Sequence, residues 1–83
     1  MREYRVEITL LSENLTYDVV VSEAMQVGIL AQLCAEAFSK LSGGRYLPGS
    51  DPVLYDKDAK KNLNATDLIQ NSEIRNGSRL LLY

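Results

Sequence analysis

From Tyr4 to Leu11 apolar and polar positions alternate: Tyr4, Val6, Ile8 and Leu10 share one face, and Arg5, Glu7, Thr9 and Leu11 the other. A period of two with β-branched residues predicts a half-buried strand. Ser12-Glu13-Asn14 is a short polar break, and the alternation then resumes. Leu15, Tyr17, Val19 and Val21 fall on one face, and Thr16, Asp18 and Val20 on the other. Two alternating runs joined by about three polar residues predict a hairpin.

The period changes after Ser22. Val27, Leu30, Ala31, Cys34, Phe38 and Leu41 recur at helical spacing, and Ile29, Leu33 and Ala37 widen the stripe. Gly28 falls in the first turn, where a glycine costs less than in mid-helix. Ser42-Gly43-Gly44 ends the helix, because glycine accepts the left-handed conformation of a C-terminal cap.

Residues 42–51 read as a loop punctuated by Pro48-Gly49. Pro52 to Asp56 is a short strand, with proline at the first position, where its missing N–H is tolerated. Lys57 to Lys61 is a charged turn, and Asn62-Leu63 a very short strand. Between Asn64 and Ser72, Leu68 and Ile69 anchor a helical turn. Asn76-Gly77 marks another turn, and Ser78 to Tyr83 is a final strand with Leu80 and Leu82 on one face and Arg79, Leu81 and Tyr83 on the other.

The order is β-β-α-β-(β)-β. Neither the helix nor the hairpin can bury its apolar side alone, so the helix is expected to cross one face of a mixed sheet of four or five strands. The last strand then lies beside the first. This is an α+β β-grasp arrangement, formed as one domain over residues 1–83. With 83 residues the chain supports one core and leaves no room for a deep active-site cavity.

Charge and composition narrow the function. Nine basic residues against eleven acidic ones give a net charge of −2, and no basic run exceeds Lys60-Lys61. A nucleic-acid binder needs a positive face to neutralise phosphates, so that class is set aside. No apolar run approaches the ~20 residues a membrane-spanning helix requires. The start, Met1 to Glu7, carries spread charges and no apolar signal core, which points to the cytosol. With one cysteine and no histidine, an internal disulfide, a transition-metal or iron–sulfur site and the common nucleophile–base pairs all lack partners. The expectation is a non-enzymatic protein with no metal or cofactor.

The opening hairpin, the Val27/Leu30/Cys34 stripe and the ending Thr66-Asp67-Leu68 … Ile74-Arg75-Asn76-Gly77-Ser78-Arg79-Leu80-Leu81-Leu82 resemble ubiquitin-like domains over nearly the whole chain. The short N-terminus leading into strand one, Tyr17-Asp18-Val19 in strand two and the close of the chain at its last strand look most like the YukD-like proteins. That resemblance implies a cytosolic accessory or regulatory component of a bacterial type VII secretion system. Its partners would be protein parts of the membrane-embedded machinery, and it would reach the membrane only through them. A ubiquitin-like interaction domain belonging to a larger protein is the alternative.

A sulfur carrier or conjugated modifier is disfavoured. That chemistry needs a free Gly-Gly tail, whereas this sequence ends Leu81-Leu82-Tyr83 and its one Gly-Gly, Gly43-Gly44, is a helix end. Cys34 falls on the buried stripe and reads as a packed thiol rather than a redox group. Asp51, Asp56 and Asp58 lack calcium-loop spacing and have Lys57, Lys60 and Lys61 beside them. Glu36 and Lys40 form an ordinary i, i+4 surface pair. What remains is surface. If Val6, Ile8, Val19, Val21, Val53, Leu80 and Leu82 point inward, then Leu54, Leu81, Val20 and Leu11 point outward on the free sheet face, rimmed by Arg79. Leu54 and Leu81 match by position the exposed aliphatics that serve ubiquitin as its binding patch. These five residues are the candidate protein-binding site.

Overall fold

The computed structural model describes residues 2–44 and 52–83. The predicted loop with Pro48-Gly49, and Asp51, lie outside the described residues. Strands β1 (Glu3–Leu10) and β2 (Leu15–Ser22) form the hairpin, followed by helix α1 (Val27–Leu41). Strands β3 (Leu54–Asp56) and β4 (Lys61–Asn62), a 3-10 turn at Ile69–Asn71, and β5 (Arg79–Leu82) complete the chain. The sheet order is β2-β1-β5-β3-β4. β5 runs parallel to β1, with Ile8 opposite Leu80, and every other pairing is antiparallel. One main helix on a five-stranded mixed sheet is the ubiquitin-like β-grasp architecture.

The alternation in β1 is realised in full. Tyr4, Val6, Ile8 and Leu10 are buried, and Arg5 between them is exposed. They meet Val27, Leu30, Ala31, Cys34, Ala35 and Phe38 of α1, with Val21, Leu54, Ile69, Ile74, Leu80 and Leu82 closing the core. Burying a side chain of this size stabilises by ~1.5–3 kcal/mol, set against the entropy of ordering the chain.

Helix α1 starts without a side-chain cap: Gln26 occupies the cap position and contributes no side-chain hydrogen bond. Two of the orphan N–H groups of the first turn are satisfied by a distant loop instead. Val27 N–H donates to the Asp67 carbonyl and Gly28 N–H to the Ala65 carbonyl, each at 2.9 Å. A Cβ at Gly28 would stand 3.0 Å from the Ala65 carbonyl oxygen and 3.1 Å from its Cβ. Glycine is there for close approach rather than for flexibility. The same loop is held further by Ile69 N–H to the Met25 carbonyl and Gln70 N–H to the Glu23 carbonyl. The polar segment 64–72 is therefore a latch over the helix start, with Ile69 as its buried anchor.

At its other end α1 closes as the glycine pair predicts. The N–H groups of Ser42, Gly43 and Gly44 donate to the carbonyls of Phe38, Lys40 and Ser39. Gly43 and Gly44 have φ of 68° and 85°, a region costly for side-chain-bearing residues. Asp56, the last residue of β3, is fully buried. Its carboxylate accepts the backbone N–H groups of Asp58 and Ala59 and so folds the turn that joins β3 to β4.

Candidate protein-binding surfaces

Cross-strand register lays out the open face of the sheet, the side away from α1. Thr16, Asp18 and Val20 of β2 stand opposite Thr9, Glu7 and Arg5 of β1. Glu7 and Thr9 have Arg79 and Leu81 of β5 on their other side, and Leu81 is opposite Tyr55. The face is largely polar. Thr9 and Thr16 hydroxyls hydrogen-bond across it at 2.8 Å, and a row Asp18–Glu7–Arg79 crosses it.

Of the five candidate residues, the structure removes one. Leu54 is not outward: it pairs with Leu82 and is 1% exposed. Its neighbour Val53, expected inward, is half-buried. The stretch Pro52 to Tyr55 has no polar alternation to reveal its face, and the pairing to β5 settles it in the register opposite to the expected one. Leu81 does lie on the open face, half-buried. Leu11 is exposed in the turn after β1, where its N–H donates to the Leu82 carbonyl. Val20 is 58% exposed but stands opposite Arg5 on the outermost strand. At ~3.3 Å per residue, Val20 lies about 13 Å along the strands from the level of Leu81. Arg5, Glu7, Thr9 and Asp18 lie between them. The remaining apolar candidates do not form one patch.

Arg79 is engaged within the chain. Its Nη2 and Nε donate to Asp58 Oδ1 at 2.9 and 3.3 Å, and its backbone N–H to Oδ2 at 3.1 Å. These hydrogen bonds hold the Asp58 carboxyl below its usual range. Arg79 thus ties the β3–β4 turn to β5.

A second surface lies where β2 meets α1. Sequence periodicity assigned Ile29, Leu33, Ala37 and Leu41 to the buried stripe, yet all four are exposed, Leu33 at 50% and Leu41 at 54%. The helix is wider in apolar residues than the sheet beneath it can cover. Leu33, Ala37 and Leu41 form one wall of an apolar groove, and the inner-face residues Tyr17 and Val19 of β2 form the other. Cys34 and Phe38 lie at its floor. The Tyr17 ring tilts over Phe38 with centroids 5.8 Å apart and remains 40% exposed. The depression over Cys34 and Phe38, about 170 Å³, is below the ~300 Å³ of ordinary small-molecule pockets.

The chemistry available at this groove is apolar contact. Burial pushes the Cys34 thiol up to about 11, so it is protonated and unreactive at neutral pH. Among the described residues no three His, Cys, Asp or Glu side chains group to hold a metal ion, and no helix is long and apolar enough to cross a membrane.

Comparison with known proteins gives a fold neighbour. No protein-family model matches the sequence, and no curated protein matches it. Chains of solved structures do match. One is a chain of a structure described as the MycP5-free ESX-5 inner membrane complex, State II. It superposes on 100% of this chain with a TM-score of 0.77 at 16% identity. This chain spans about a fifth of that one, 21% of its length. At this identity the likeness is one of fold.

Proposed function

We propose that this chain is a non-enzymatic ubiquitin-fold component of a bacterial type VII secretion system, acting by protein–protein contact in an accessory or regulatory role. The observation that carries it is the fold match along the whole chain to a subunit of an ESX-5 inner membrane complex. The YukD-like features of the sequence, Tyr17-Asp18-Val19 above all, support the same reading. Exposed leucines beside a polar sheet face suit a binding module. Such a component would work in the cytoplasm and reach the membrane through its protein partner.

A second reading has its own support. The matched ESX-5 chain is about five times longer than the matched region, so the same domain works equally well as one interaction unit within a larger protein. Both readings put a protein-binding β-grasp domain at the secretion machinery.

The test is affinity purification of the tagged protein from detergent-solubilised membranes of its native cell under secreting conditions. Recovery of secretion membrane components is expected. Their absence across several growth conditions contradicts the proposal.

A further inference from the structure

The strand β2 is an outer edge of the sheet and is eight residues long. The opposite edge, β4, has only two residues. The hydrogen-bond phase of β2 follows from its neighbours. Arg5 and Glu7 turn their backbone groups toward β5: Arg5 N–H donates to Asn76 Oδ1, the Arg5 carbonyl accepts Gly77 N–H, and Glu7 N–H donates to the Ser78 carbonyl. Their partners on β2, Val20 and Asp18, together with Thr16 two residues on, therefore turn their own N–H and C=O groups outward. Among the described residues these outward backbone groups have no partner. Unpaired edges of this length are ready templates for another strand.

We infer that β2 and the groove beside it bind an extended segment of a protein partner as an added strand, apolar at alternate positions and basic between them. The inference deepens the protein-binding role proposed above and rests on it. A strand laid along β2 hydrogen-bonds to Thr16, Asp18 and Val20, and every second side chain turns toward α1. Two successive inward side chains reach the groove, one against Tyr17 and Leu41, the next against Val19, Leu33 and Ala37. The intervening side chains project on the open-face side, next to Asp18.

Charge selects the occupant. From Leu11 to Gln26 the chain carries Glu13, Asp18 and Glu23 and no Lys or Arg. Basic side chains at the alternate positions complement that edge. A second copy of this chain does not: it brings the same three acids to the same edge, and two-fold pairing centred on Asp18 sets that carboxylate against its own copy.

The probe is the peptide acetyl-Gly-Lys-Ile-Lys-Ile-Lys-Gly-amide, with its Glu-for-Lys counterpart as control, titrated into the intact protein and followed by NMR. The basic peptide is expected to bind at least tenfold more tightly than the acidic one and to slow amide exchange at Thr16, Asp18 and Val20. Asp18→Lys should narrow the preference at least threefold. Ala37→Gln, an exposed and helix-compatible change that fills the groove, should weaken binding about tenfold. Leu33→Gln gives an independent check should Ala37→Gln perturb the fold. No binding at millimolar peptide, unchanged exchange at the three amides, shifts confined to the open sheet face, or a dimer in sedimentation would each overturn the inference. If the peptide fails while the protein still co-purifies with secretion components, the strand docking is wrong and the proposed function stands. If the peptide binds and no secretion component is recovered, the proposed function alone fails.

Discussion

Gly28 and Ala65, 37 positions apart in sequence, meet backbone to backbone: the Gly28 N–H donates to the Ala65 carbonyl at 2.9 Å, and a Cβ on Gly28 has only 3.0 Å to that oxygen. The contact joins the start of the helix to the 64–72 latch. Gly28→Ala gains helix propensity, worth up to ~1 kcal/mol in mid-helix and less in a first turn. It also presses against a carbonyl held in place by its own hydrogen bond, and overpacking of this kind costs ~1–3 kcal/mol. The expected net effect is destabilisation of about 1 kcal/mol, read as a lower urea midpoint with unchanged slope. A stabilised Gly28→Ala protein would show that the latch yields freely.

Leu54 separates the core from the surface most sharply. Leu54→Ala should cost ~2–5 kcal/mol, because the side chain is fully buried in the core. Val20→Ala, at an exposed edge position, should cost less than about 1 kcal/mol. Thermal or urea unfolding of the two variants measures the contrast directly. Similar losses at both sites would restore Leu54 to the surface.

Asp58 gives the fold an acid limb. Its folded pKa is lowered, chiefly by the Arg79 side-chain hydrogen bonds and next by the Arg79 backbone N–H. A lowered carboxyl pKa contributes stability above the unfolded value, which is ordinarily 3.8, and loses it as pH falls through the folded value. Asp58→Asn should therefore flatten the dependence of stability on pH below about 4 and leave its slope near neutrality unchanged. Both groups are solvent-exposed, so the effect is small and salt-sensitive. Urea midpoints at stepped pH, wild type against variant, test it.

Cys34 should resist alkylation. Its thiol is buried and its pKa is raised to about 11 by desolvation. At pH 7.5 a maleimide should label the folded protein far more slowly than the protein in denaturant. Equal rates would mean that the floor of the β2–α1 groove opens readily.

Much of this architecture was legible in the chain because single signals carry it. Strict alternation gave both strands of the hairpin and their faces. The helical stripe gave Val27 to Leu41, and Gly43-Gly44 and Asn76-Gly77 supplied the positive-φ residues their turns need. What misled were positions whose face depends on a distant partner. Pro52 to Tyr55 reads the same in either register, and only pairing with β5 buries Leu54 and half-exposes Val53. Ile29, Leu33 and Ala37 look like core because the apolar stripe is broad. How much of a stripe is covered depends on the width of the sheet below it, which the helix's own sequence does not encode. The candidate site failed at Leu54 for the first reason, and the groove was missed for the second. Arg79 looked like a free rim charge because its partner, Asp58, lies 21 positions earlier in another turn.

The central claim is that this β-grasp domain meets the secretion machinery through the β2 edge and the flank of α1. The most direct measurement is site-specific photo-crosslinking in the native cell, with the photoreactive residue at Leu33 on the groove wall and, separately, at Arg5 on the open face. The account predicts a crosslink from position 33 to a secretion membrane component and none from position 5. A crosslink to such a component from position 5 alone, or from neither position, contradicts it.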